Sequence, residues 1–132
     1  MPILVESLCN ASYQDQQDLQ KIYQDAPHWL FAPQRDAQEL IDSGLRDGEL
    51  LTARFNDRLL GAARLQRHPD GWHLSQLCVR RITRRRGVAE RLLSEAQKMA
   101  RAQGTTLHLL APAGHLEAQA LASKMHLPLK KL

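Results

Sequence analysis

The residues best suited to chemistry form an arginine-rich loop in the middle of the chain. Five of the seven residues at positions 80–86 are arginines, and Gly87, Val88 and Ala89 follow directly. The loop lies between a predicted strand that ends at Val79 and a predicted helix that begins at Val88. The first N–H groups of a helix have no partner within it, and the helix dipole adds about half a positive charge there. This helix start is therefore predicted to bind phosphate.

Two further features favour a pyrophosphate at this loop. Gly87 lets the backbone approach an anion without a Cβ in the way, and the small side chain of Ala89 leaves similar room. The arginines supply charge-assisted hydrogen bonds to phosphate oxygens. The sequence contains neither Gly-x-x-x-x-Gly-Lys-Ser/Thr nor Gly-x-Gly-x-x-Gly, so the familiar loops for nucleoside triphosphates and dinucleotides are excluded.

Hydrophobic spacing and turn residues predict the elements that position this loop. A capping box formed by Ser12 and Asp15 is expected to open a first helix that closes before Pro27, and Gly44 is expected to end a second helix. Asn56-Asp57 is a turn dipeptide between two strand-like runs, which indicates a hairpin. Strands are predicted at residues 3–8, 49–55, 59–68, 72–79, 106–111 and 127–132, and the three helices after the first at 33–43, 88–103 and 116–125.

This order predicts an α+β fold, in which a meander of antiparallel strands leads into a parallel crossover and helices flank a mixed sheet. A length of 132 residues fits one domain, 1–132. We expect a cytoplasmic protein without membrane spans, because there is no signal-peptide pattern and no apolar run of roughly 20 residues. Cys9 and Cys78 are expected to be buried thiols rather than a disulfide or metal ligands.

The charge of the chain is strongly asymmetric. The net charge is +4, but residues 1–66 carry 6 basic and 10 acidic groups, whereas residues 67–132 carry 12 and 4. The arginines could bind a nucleic acid backbone, but only 5% of the residues are aromatic and none lies among the arginines. We therefore expect no nucleic acid partner, and the histidines lack the spacing of a metal site.

The pattern Arg84-x-x-Gly87-x-Ala89 resembles motif A of the GNAT acetyltransferase superfamily, although Ala89 replaces the commoner glycine. The order of the predicted elements also resembles a GNAT domain, with a C-terminal strand that is truncated. Three segments, at residues 14–23, 53–60 and 79–88, resemble the PanZ (PanM) family. Its members are acetyl-CoA-binding GNAT-like proteins that associate with aspartate 1-decarboxylase, promote its maturation and regulate pantothenate synthesis.

The resemblance to the PanZ family implies roles for particular residues. Acetyl-CoA or CoA is the implied cofactor, with its pantetheine arm along Leu77, Cys78 and Val79. Arg54 and Asn56 match positions that are implied to face the decarboxylase. The residues implied to hold the pyrophosphate are consecutive: Thr83, Arg84, Arg85, Arg86, Gly87, Val88, Ala89 and Glu90.

Acetyl transfer to an amine needs a general base and a general acid. The predicted strand 72–79 carries no carboxylate, and Ala122 stands where the superfamily often has an acid tyrosine. His73 is the alternative base, and Cys78 an alternative acyl carrier. The sequence therefore favours a regulatory binding protein with weak or no transferase activity, and an N-acetyltransferase acting on an unknown amine is the alternative.

Overall fold

The computed structural model describes residues 3–24, 26–80 and 87–132. Thr83, Arg84, Arg85 and Arg86 therefore lie outside the described residues. The strands are β1 Leu4–Ser7, β2 Leu50–Phe55, β3 Arg58–His68, β4 Gly71–Val79, β5 Leu107–Ala111 and β6 Leu129–Lys131. The helices are α1 Tyr13–Tyr23, α2 Ala37–Arg46, α3 Val88–Ala102 and α4 Leu116–Met125, with a short 3-10 helix at His28–Phe31.

The six strands form one mixed sheet in sequence order, β1 to β6. Strands β1 to β4 pair antiparallel, whereas β4 with β5 and β5 with β6 pair parallel through crossovers that contain α3 and α4. Helix α3 packs on one face of the sheet with residues such as Leu92 and Leu93, and α1 and α2 pack on the other with Leu19 and Ile41. The predicted α+β fold with a short final strand is confirmed.

Local sequence signals set several boundaries as predicted. The side chain of Ser12 accepts a hydrogen bond from the Asp15 N–H at 3.0 Å, and the reciprocal half of the capping box is also present. Asn56 and Asp57 have φ values of 49° and 65° between β2 and β3. Two consecutive positive φ angles are the requirement of the tight hairpin turn that best suits twisted strands.

The prediction that Gly44 ends the second helix is wrong. Helix α2 begins after the cap Asp36, whose carboxylate accepts from the Glu39 N–H at 2.9 Å, and it continues through Gly44 to Arg46. A Cβ at Gly44 would lie 3.3 Å from Cδ1 of Leu50. Glycine therefore serves close packing of the helix on β2 at this position, and the helix gives way at Gly48, where φ is +67°.

The expectation that both cysteines are buried is half wrong. Cys78 is buried, but Cys9 is exposed because it follows the end of β1, where the chain leaves the sheet. Within the described ranges, no helix is long and apolar enough to span a membrane. The same ranges contain no group of three or more side chains placed to hold a metal ion.

Candidate functional site

A groove of about 850 Å³ opens where β4 and β5 separate. The described pairing between these two parallel strands covers Trp72–Leu74 opposite Leu107–Leu109, and the last four residues of β4, from Gln76 to Val79, line the groove. The start of α3 closes one end, and the 3-10 helix and the start of α4 form the sides. The lining residues include Leu77, Cys78 and Val79 of β4, and Gly87, Val88, Ala89 and Glu90 at the start of α3.

A bulge in β4 shapes the inner end of the groove. Gln76 has a φ of 54°, and the register between β3 and β4 shifts between Ala62 and Arg64. The buried Tyr23 hydroxyl donates a hydrogen bond of 2.8 Å to the carbonyl of Gln76, and the Cys78 thiol donates to the carbonyl of Ile22 at 3.1 Å. Burial raises the pKa of Tyr23 well above its ordinary value, so its hydroxyl remains a donor.

The outer end of the groove is the N-terminus of α3. Gly87 is the N-cap with a φ of +78°, and a Cβ placed there would meet no described atom within 4 Å. The helix start is held close to the sheet, because a Cβ on Gly61 of β3 would lie 2.9 Å from Cγ1 of Val88. Glu90, in the first helical turn, pairs with Lys124 of α4 at 2.7 Å. This end can therefore present backbone N–H groups to an anion.

The described residues that were predicted to hold pantetheine and pyrophosphate thus lie along a single groove. Other lining residues were missed, because they come from segments that precede or follow the motif by many residues. Trp29 and His115 contact each other edge to face across the groove, with ring centroids 5.3 Å apart. No local pattern in the sequence singles out either residue, since both reach the groove only through the tertiary fold.

The groove offers little for proton transfer. His73, the alternative base, does not line it but packs against His68 and His108, and burial lowers its pKa. Ala122 is buried in α4 and has no titratable group. His115 is engaged as the helix cap, with Nδ1 accepting from the Ala118 N–H at 3.1 Å. Two carboxylates, Glu90 and Glu117, line the groove, and Glu90 is paired with Lys124.

Comparison with known sequences places the chain in a family. The family model described as "Acetyltransferase (GNAT) domain, PanZ" matches residues 2–129. The chain belongs to the PanZ family. Two proteins named PanD regulatory factor, from Salmonella typhimurium and Escherichia coli, are 40% and 38% identical over 96 residues. The match covers 72% of this chain and 66% of each relative, a little under two thirds of their length.

Solved structures support the GNAT fold of this PanZ-family chain. The ribosomal-protein-S18-alanine N-acetyltransferase from Escherichia coli has a TM-score of 0.71 and 18% identity, and the match covers 94% of this chain and 76% of that one. The PaiA N-acetyltransferase from Thermoplasma acidophilum, solved with coenzyme A, has a TM-score of 0.65 and 17% identity, with 94% and 88% coverage. At these identities the likeness shows the fold.

Arg54 and Asn56, which the resemblance to the PanZ family implies to face a partner, have different surroundings from each other. Arg54 donates to both carboxylate oxygens of Asp15, at 3.0 and 3.1 Å, and to Glu6 at 3.2 Å. The guanidinium of Arg54 therefore fastens the hairpin to α1 and β1. Asn56 is exposed at the turn.

A second arginine of the hairpin anchors α1 in the same way. The fully buried carboxylate of Asp18 accepts from Arg58 at 2.6 Å and from the Leu59 N–H at 3.1 Å. Burial alone raises the pKa of Asp18, but the hydrogen bonds from Arg58 and Leu59 outweigh it and the net shift is downward. The hydrogen bond from Arg54 likewise lowers the pKa of Asp15.

We predict that Arg54→Ala destabilises the protein, whereas Asn56→Gly does not. Loss of Arg54 leaves the buried Asp15 carboxylate poorly compensated and costs about 1–3 kcal/mol, but glycine suits the positive φ of residue 56. Because folding lowers the pKa of Asp15, its ionised carboxylate stabilises the folded state at pH values above the ordinary pKa of 3.8. This contribution is lost as the pH falls through the pKa of the folded state. In urea unfolding, the free energy of unfolding of Arg54→Ala should therefore be lower than that of wild type at pH 7, and the difference should narrow below pH 3.8. Equal unfolding free energies at pH 7 would contradict the assignment.

Proposed function

We propose that this chain is a GNAT-like regulatory factor that binds CoA thioesters, acetyl-CoA in particular, and associates with aspartate 1-decarboxylase in pantothenate biosynthesis. The assignment of a CoA ligand rests on the groove, which runs from the β4 bulge at Gln76 to the start of α3 at Gly87. The partner part is supported by membership of the PanZ family and by relatives named PanD regulatory factor.

In this proposal the pyrophosphate lies at the N-terminus of α3, where Gly87, Val88, Ala89 and Glu90 line the groove. The loop residues Thr83, Arg84, Arg85 and Arg86 supply further hydroxyl and guanidinium donors. The pantetheine arm follows Leu77, Cys78 and Val79 inward, and the thioester lies near the bulge. A groove of about 850 Å³ is of the size that cofactor sites commonly have.

The ligand assignment is tested by Gly87→Ala. A Cβ at Gly87 points into space that the pyrophosphate is proposed to fill, so we expect CoA binding to weaken at least tenfold, which is about 1.4 kcal/mol. Gly104→Ala is a matched control, because Gly104 lies just beyond the other end of α3 with φ +71° and similarly open surroundings among the described residues. Both changes cost similar backbone strain. Calorimetry showing equal CoA affinity for the two variants would refute the phosphate site.

The alternative function, an N-acetyltransferase, has weaker support. Strand β4 carries no carboxylate, residue 122 is alanine, and His73 lies outside the lining of the groove. Of the titratable residues that line the groove, Cys78, Glu90 and His115 are engaged with Ile22, Lys124 and the Ala118 N–H, and Glu117 is the remaining carboxylate. A general acid and a general base typically contribute about 10²–10⁴-fold each, so a site without them transfers slowly.

Ordinary enzyme rates begin at about 1 s⁻¹. We therefore predict that, with a panel of primary amines, thiol is released from acetyl-CoA at a rate well below this value. The measurement is a thiol assay with saturating acetyl-CoA. Rates at or above that value would establish an enzyme, and loss of the rate in Glu117→Gln would then identify a groove-lining carboxylate as its base.

The docking surface is proposed to include the tip of the β2–β3 hairpin. Asn56 is exposed there, and its side chain makes no hydrogen bond to the described residues, so its polar groups are available to a partner. Arg54 contacts the tip through the carbonyl of Asp57 at 3.1 Å, and its other bonds are internal. Arg54 therefore supports the shape of the hairpin, whereas Asn56 is the better candidate for direct contact.

Capture of the same organism's aspartate 1-decarboxylase tests the partner assignment. Wild type should retain the decarboxylase, and acetyl-CoA should strengthen retention, because a ligand ordered beside the interface favours the bound state. Asn56→Gly should weaken the complex by about 1–3 kcal/mol, with little effect on unfolding, because glycine suits the positive φ of residue 56. Failure of wild type to capture the decarboxylase with or without acetyl-CoA would remove the regulatory role and leave CoA binding standing.

A further inference from the structure

A second cavity, of about 310 Å³, adjoins the inner end of the groove. The two cavities share four lining residues, Trp29, Leu30, Gln76 and Leu110. Along β4, Val79 and Leu77 line the groove, Gln76 lines both cavities, and Ser75 lines only the second. A chain that enters from Gly87 and follows β4 inward therefore reaches the second cavity after it passes Gln76.

The walls of the second cavity combine apolar and uncharged polar groups. Trp29, Leu110 and Leu132 supply apolar surface, while Gln66 and Ser75 supply amide and hydroxyl groups. Such a lining fits a short carbon chain with one hydrogen-bonding group better than it fits a purely aliphatic chain.

The charge on the cavity wall is already neutralised. Arg64 is the one cation among the described lining residues, and its guanidinium donates to Glu49 at 2.7 Å, Asp47 at 2.9 Å and the Ser43 hydroxyl at 2.8 Å. Two carboxylates thus oppose one guanidinium, so the site does not favour an acyl group that ends in a carboxylate.

An orphaned acceptor lies at the junction of the cavities. Gln76 is more than nine-tenths buried, and its Oε1 has no hydrogen-bond partner among the described residues. Its Nε2 donates to the Gln34 side-chain oxygen at 2.8 Å and to the carbonyls of Phe31 and Ala32, each at 3.1 Å. A buried acceptor without a donor is costly, and a ligand hydroxyl arriving beside it would remove that cost.

We infer that the second cavity receives the acyl group of a CoA thioester longer than acetyl, specifically a chain of about four carbons that carries a hydroxyl. This inference rests on the proposed CoA site and extends it, because it assigns the class of acyl group that the site prefers. The hydroxyl is placed to bond with Gln76 or Ser75, and the carbon chain packs against Trp29 and Leu110.

Calorimetry with four ligands tests the inference: CoA, acetyl-CoA, butyryl-CoA and 3-hydroxybutyryl-CoA. The last two differ by a single hydroxyl. Each methylene buried beyond acetyl is worth about fourfold in affinity. We expect butyryl-CoA to bind about fifteenfold more tightly than acetyl-CoA, and 3-hydroxybutyryl-CoA to bind at least threefold more tightly than butyryl-CoA and so about fiftyfold more tightly than acetyl-CoA. Ser75→Ala should reduce the difference between the last two.

A cavity-filling variant provides the structural control. Gln66 is half-buried and lines the second cavity but not the groove. Gln66→Trp should abolish the preference for the longer acyl groups while acetyl-CoA still binds, and Gln66→Ala should keep the preference. Acetyl-CoA binding shows that each variant has folded.

The outcomes separate the two levels of the assignment. No binding of any of the four ligands overturns both the CoA site and this inference. Binding of CoA and acetyl-CoA, with the four-carbon thioesters equal or weaker, overturns the inference alone. Equal affinity for butyryl-CoA and 3-hydroxybutyryl-CoA overturns the assignment of the hydroxyl. An unchanged preference for the longer acyl groups in Gln66→Trp overturns the assignment of the cavity.

Discussion

The hydrogen bond from the buried Tyr23 hydroxyl to the carbonyl of Gln76 governs the shape of the groove. Gln76 adopts a left-handed conformation that non-glycine residues rarely take, and such a conformation persists only where the surroundings enforce it. Tyr23 provides that enforcement from the end of α1, and the neighbouring Cys78 thiol holds the strand to the carbonyl of Ile22. The bulge lies just beyond the last β4–β5 pair, at Leu74, so helix α1 on one face of the sheet sets the opening between two strands.

The position of α1 depends in turn on charge. Its buried carboxylates Asp15 and Asp18 are neutralised by Arg54 and Arg58 at the two ends of the hairpin turn. Burying a carboxylate is tolerable only with such partners, since an unpaired buried charge is strongly destabilising. The acidic excess of residues 1–66 is thus partly used inside the fold, where these carboxylates pair with arginines of the hairpin. The basic excess of residues 67–132 includes the five arginines at positions 80–86.

Local patterns explain why so much of this fold was predictable. The capping box of Ser12, the turn at Asn56-Asp57 and the amphipathic spacing of α3 each involve residues within a few positions of one another, so the sequence alone carries their geometry. What local patterns did not reveal concerns tertiary contacts. Gly44 continues a helix because Leu50 packs against it, and Arg54 is held by an aspartate 39 positions away. Seven of the residues implied by the resemblance to the PanZ family line the groove, but Trp29 and His115 reach it only through the fold.

In the proposed function the groove holds a thioester without a complete acid–base pair beside it, as a regulatory site requires. In the described groove the imidazole of His115 caps a helix, the thiol of Cys78 is bonded to a carbonyl and Glu90 pairs with Lys124, so Glu117 is the remaining carboxylate. A ligand that is bound but not consumed reports its own concentration through the occupancy of the site. Such a ligand shifts a second equilibrium only by its difference in affinity for the free and associated forms of the protein. The proposed acetyl-CoA site and the hairpin tip at Asn56 can therefore be coupled through the sheet that joins them, since β3 leads from the hairpin to the glycine that seats the start of α3.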